Sequence, residues 1–106
     1  MRTEILKGHV DLLLLAAVLA RPSHGYAVIE ELRRRSDGAF DLPEGTVYPA
    51  LHRLERQGLF ASQWSEETGR KRRIYAVTER GRTALAQQRQ DWSLFARAVQ
   101  AVVTEA

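Results

Sequence analysis

The sequence predicts a mainly α-helical fold carrying one small β-hairpin, followed by a long C-terminal helix. Three observations predict it. Apolar residues recur at helical spacing in three segments up to Gln57. Two runs of alternating character then flank a polar stretch with one glycine. Beyond Thr78 the helical pattern resumes and continues almost to the end. A chain of 106 residues with 44% hydrophobic content can bury one modest core, so one body is expected.

The first helix is expected from about Lys7 to Ala20. Leu12 to Ala20 is apolar around nearly the whole cylinder, so this helix should be covered on more than one side. That run is far shorter than the ~20 residues a membrane span needs. Arg21-Pro22-Ser23 ends it, because the residue before proline avoids helical backbone angles. Ser23 is then the expected N-cap of a second helix, about His24 to Ser36, which Asp37-Gly38 closes. The third helix lies within Pro43 to Gln57, with Val47, Leu51 and Leu54 as its buried stripe and Gly58 just past its end. Two starts fit: Pro43 at the first helical position, or Thr46 as N-cap with Pro49 inside the first turn. In the first case Pro49 interrupts one helical hydrogen bond.

In the hairpin, Phe60, Ser62 and Trp64 share one face of the first strand, and Arg73, Tyr75 and Val77 one face of the second. Glu66 to Lys71 forms the tip, with Glu66-Glu67 on the strand leading into it. Thr78 caps a last helix reaching toward Glu105, which would be ~42 Å long at 1.5 Å per residue. Three helices and then a two-stranded ribbon is the order of a winged helix-turn-helix. Residues 1–78 are assigned to that DNA-binding type of domain and residues 79–106 to the C-terminal helix.

Charge is unevenly placed. Residues 1–43 are neutral, residues 44–80 carry seven bases against five acids, and the whole chain carries +3. Arg70-Lys71-Arg72-Arg73 is the one run of four like charges. With no cysteine, disulfides, thiolate metal sites and cysteine nucleophiles are excluded, and a reducing cytoplasm is the expected location. His9, His24 and His52 fall on three segments without ligand spacing, so neither metal nor cofactor is expected. His24-Gly25-Tyr26 more naturally opens the second helix, whose free N–H groups suit a phosphate. A hydrolase or nuclease would need a glycine-rich phosphate loop, paired carboxylates, a nucleophile elbow or a metal cluster, and the sequence offers none of them.

A helix in the DNA major groove reads base edges mainly with its first turns. Here Gly45, Thr46, Tyr48, Pro49, His52 and Arg53 are the candidate readers, and Arg70, Lys71 and Arg72 the candidate wing contacts to phosphate or minor groove. A solvated helix face and a solvated charge run are the plain alternatives. The far half of the last helix is apolar on one side: Leu85, Trp92 and Val99 at sevenfold spacing, beside Phe95 and Val102. With Leu12 of the first helix these form the expected interface of a two-fold homodimer. Trp92 and Phe95 are also candidates for the wall of a site for a small aromatic effector. The competing function is a winged helix used only for binding other proteins.

Together, His24-Gly25-Tyr26, the stretch EGTVYPALHRLE from Glu44 to Glu55 with Gly58-Leu59, the wing GRKRRIY from Gly69 to Tyr75, and Leu85 with Trp92 resemble the PadR family of transcriptional regulators. The resemblance implies a winged-helix dimer that represses transcription from a pseudo-palindromic operator in double-stranded DNA, often of neighbouring detoxification or efflux genes, until a small molecule binds. It also implies that the third helix enters the major groove and that the last helix makes the dimer. The chain is similar to the short form of the family, whose multidrug-sensing members carry a seam tryptophan matching Trp92.

Overall fold

The computed structural model describes residues 3–67 and 69–104. The chain runs through α1 (Thr3–Leu6), α2 (Val10–Ala20), α3 (Gly25–Arg35), α4 (Glu44–Arg56), strands β1 (Phe60–Ser65) and β2 (Arg72–Val77), and α5 (Glu79–Val103). This is the mainly helical, hairpin-bearing architecture that the periodicity predicts. Thr68 of the hairpin tip, and Glu105 and Ala106 at the end of the last segment, lie outside the described residues.

Element starts are where the expectations need correction. The first long helix begins at Val10 rather than Lys7, because Lys7-Gly8-His9 forms a turn after α1. Glycine inside a helix costs about 1 kcal/mol relative to alanine, so Gly8 favours the turn. His24, not Ser23, caps α3: its Nδ1 accepts from the Ala27 N–H at 3.3 Å. Ser23 is held elsewhere, its backbone exchanging two hydrogen bonds of 2.9 and 3.0 Å with Tyr75 of β2. Pro43 precedes α4 as its cap residue, so Thr46 is already helical and Pro49 lies in the interior. Pro49 has no N–H for the carbonyl of Gly45, four residues back, and Gly45 faces open space. Glu66 and Glu67 follow the end of β1 and belong to the turn, not to the strand.

The strands pair antiparallel, with Phe60 opposite Val77, Ser62 opposite Tyr75 and Trp64 opposite Arg73. That register puts the predicted residues on shared faces. Phe60 and Tyr75 turn inward, ring centroids 6.0 Å apart, onto Leu14, Leu15 and Val18 of α2, Val28 and Leu32 of α3, and Val47, Leu51 and Leu54 of α4. Burying each such side chain contributes about 1.5–3 kcal/mol relative to leaving it in water. The all-round apolar α2 is explained by its neighbours: it packs on α3, α4, α5 and β2 together. Among the described residues no helix is long and apolar enough to cross a membrane.

The joint between hairpin and α5 is tight. Thr78 Oγ1 donates to the Gly58 carbonyl at 2.7 Å and accepts from the Gly81 N–H at 3.0 Å. A Cβ on Gly81 would stand 2.2 Å from the Leu59 carbonyl oxygen, so only glycine fits there. Gly81 and Leu85 are buried in the body. From Arg89 onward α5 is largely exposed. Its 25 residues make about 37 Å of helix, in a molecule measuring 58 × 28 × 20 Å.

Candidate nucleic-acid interface

The face of α4 turned from the core follows from its inward stripe. With Val47, Ala50, Leu51 and Leu54 buried, Gly45, Pro49, His52 and Arg56 are exposed. Arg56 therefore joins the predicted group. Two of the predicted readers have partners inside the protein. The Tyr48 ring packs against Gly25, where a Cβ would stand 2.6 Å from it, so Tyr48 and Gly25 together set how closely α3 and α4 approach. Arg53 is ion-paired with Asp11 in the first turn of α2. Thr46, half-buried, shares that edge of α4.

The wing sorts its four bases in the same way. Arg70 and Lys71 are exposed at the tip, beside Gly69 at φ 76°, a left-handed turn position that suits glycine. Arg72 is half-buried, with Nη1 2.7 Å from His24 Nε2. Arg73 turns toward α4, donating from Nε to Ser62 Oγ at 2.7 Å. His24 thus faces a donor at each ring nitrogen, the Ala27 N–H and the Arg72 guanidinium, and neutral imidazole has one acceptor. Burial, and then the Arg72 charge, hold its pKa below the ordinary histidine value. A second basic cluster, Arg33-Arg34-Arg35, is engaged within the protein: Arg33 with Glu30 and Asp41, Arg34 with Glu31. The open charge of the wing tip contrasts with these neutralised bases.

The expected dimer residues divide. Leu85 is a correction: it is 1% exposed in the core of its own chain and is not free for a partner. Leu12 packs half-buried against that core. Trp92, Phe95, Val99 and Val102 are exposed along one stripe of α5. Between α5, the start of α2 and the edge of α4 runs a groove of about 970 Å³, lined by Trp92, Phe95, His9, Asp11, Thr46 and Arg53 among others. His9 meets the Trp92 ring edge-on, centroids 5.2 Å apart, and Trp92 and Phe95 lie 6.2 Å apart. The three histidines lie apart: His9 here, His24 under the wing, and His52 on the outer face of α4. Sequence reading misses His9, Asp11 and the internal partners of Arg53 and Arg72. Only their charge and ring types signal them, since each pairing joins residues far apart in the chain.

Known proteins resemble this chain in sequence and in fold. A family model described as "Transcriptional regulator PadR-like family" matches residues 14–87. The chain is 41% identical over 76 residues to Transcriptional regulator Rv3488 of Mycobacterium tuberculosis, covering 72% of this chain and 68% of that protein. It is 32% identical over 96 residues to Transcriptional regulator YqjI of Escherichia coli, covering 89% of this chain but only 45% of YqjI. Among solved structures, a transcriptional regulator from Clostridium thermocellum superposes with a TM-score of 0.88 at 28% identity, over 96% of this chain and all of that one. A PadR family transcription regulator from Clostridium difficile does so at 0.79 and 28% identity, over 92% of this chain and all of that one.

Proposed function

Because the chain belongs to the PadR-like family of transcriptional regulators, we propose that it binds double-stranded DNA as a homodimer and represses transcription until a small aromatic effector binds. The observation that carries this reading is the pairing of two open surfaces, the outer face of α4 and the tip of the wing. Gly45, Pro49, His52 and Arg56 meet the major groove, while Arg70 and Lys71 meet flanking phosphates. Arg53 joins them once its ion pair with Asp11 opens. Copies joined along the exposed stripe of α5 read half-sites of a pseudo-palindromic operator about 34 Å apart. Family membership makes the protein a regulator rather than an enzyme.

The effector site in this reading is the groove at Trp92 and Phe95. It touches Thr46 and Arg53 of α4, so a molecule held there bears directly on the reading helix. The ligand acts by preferring one arrangement of the two reading heads, since only differential affinity shifts a population.

Selecting genomic fragments with the purified protein tests DNA binding, dimer symmetry and half-site spacing at once. Replacing Arg70 and Lys71 with alanine is expected to weaken binding to every sequence. It should also flatten the plot of log affinity against log salt by about two, near 0.9 for each phosphate that is no longer neutralised. Failure to retain any duplex in dilute buffer would leave the fold as a protein-binding module.

A further inference from the structure

Glu55 of α4 and two side chains of the hairpin close a polar triangle. Ser62 Oγ donates to Glu55 Oε2 at 2.6 Å, Arg73 Nε donates to Ser62 Oγ at 2.7 Å, and Arg73 Nη2 stands 3.4 Å from the same carboxylate oxygen. Arg73 lies directly opposite Trp64 in the ladder. Trp64 is 57% exposed, yet it carries two cations: the Arg73 guanidinium 5.3 Å from its ring centroid and Lys71 Nζ 5.0 Å from it. A carboxylate on the helix is thereby linked, through Ser62, Arg73 and an indole ring, to a cation at the wing tip.

Both ends of this chain are unexpected on a surface that meets a polyanion. A carboxylate repels phosphate, and an exposed indole gains nothing from water. They make sense as a brace. A free lysine or arginine loses rotamer freedom when a ligand fixes it. An aromatic face that already holds the cation by cation–π attraction reduces that loss. We propose that Glu55 and Trp64 are positioning residues that hold Lys71 and Arg73 at a set reach from the outer face of α4, so helix and wing grip the duplex as one unit. The proposal rests on the DNA-binding reading above.

The test turns on a sign. Glu55→Ala removes a negative charge near DNA, raising the chain from +3 to +4, and a merely repulsive glutamate predicts tighter binding. The brace predicts affinity lower by about threefold to tenfold, the size of coupling between residues in one network. For the quenching measurement alone, a Trp92→Phe background leaves Trp64 as the remaining tryptophan. Its quenching by acrylamide should then rise in Glu55→Ala without DNA present. On DNA, with Trp92 kept, Trp64→Ala should match Glu55→Ala, the double variant should lose no more than either, and Trp64→Phe should recover the affinity of the unsubstituted protein. If Glu55→Ala does not fold, Glu55→Gln, which keeps an acceptor for Ser62 but no charge for Arg73, is read in the same two ways. Unchanged or tighter DNA binding overturns the proposal, as does unchanged quenching. An unsubstituted protein that retains no duplex overturns the DNA reading itself, and the missing shift in its own lane tells that failure from the other two.

Discussion

The two halves of α5 carry one repeat and meet opposite fates. Leu85, Trp92 and Val99 follow each other at intervals of seven and lie along one stripe, as helical geometry requires. Leu85 is 1% exposed, sealed against the core with Gly81 one turn before it. Trp92 is 46% exposed, Val99 40% and Val102 84%. The difference is reach. The first turns of α5 are buried against the body, Trp92 and Phe95 meet only its edge at His9, and the turns beyond them are exposed. Periodicity identifies the side chains that share a stripe, and tertiary geometry decides which of them their own chain covers.

Substitutions on either side of that boundary can break the contrast. The largest effect is expected from Leu85→Ala, which leaves a cavity in a closed core and should cost about 2–5 kcal/mol in urea denaturation. Val99→Glu should leave the body's own stability within about 0.5 kcal/mol. In the proposed dimer, sedimentation should show self-association weakened by about tenfold or more, because a charge enters the exposed apolar stripe of α5. Equal loss of folding stability in both variants, measured in dilute protein, would erase the distinction between the halves.

The smallest effect sharpens it. His24 belongs to the body alone, and its folded pKa is depressed by burial and by Arg72. The unfolded chain therefore takes up the proton first as pH falls. Stability is full above the ordinary histidine value, declines below it, and the loss is complete below the depressed folded value. The urea midpoint should fall on mild acidification, by the same amount in Val99→Glu, and His24→Asn should flatten the dependence. A fall that persists undiminished in His24→Asn would assign it to another group.

Legibility in the sequence follows the range of the interactions. The α4 stripe, the two faces of the hairpin and the Thr78 cap depend on neighbours a few residues away, and all three are readable. The choice of His24 over Ser23 as a cap is not, because it hinges on backbone pairing between Ser23 and Tyr75 in a distant strand. Arg53 and Arg72 read as free DNA contacts until the fold brings Asp11 and His24 to them across 42 and 48 residues. Likewise, nothing in the run Arg70 to Arg73 distinguishes its exposed members from its engaged ones. The sides they take are fixed by hairpin register and by what α3 and α4 present beneath them.

The glycine at position 81 has a mechanical consequence. Because Leu59 leaves no space for a side chain there, α5 springs from the body at a fitted socket instead of a slack hinge. A rod of about 37 Å turns a tilt of about 5° at that socket into about 3 Å of travel at its tip. In a pair of such molecules, the root of each rod would act as the fine adjustment for how far apart the two gripping surfaces stand.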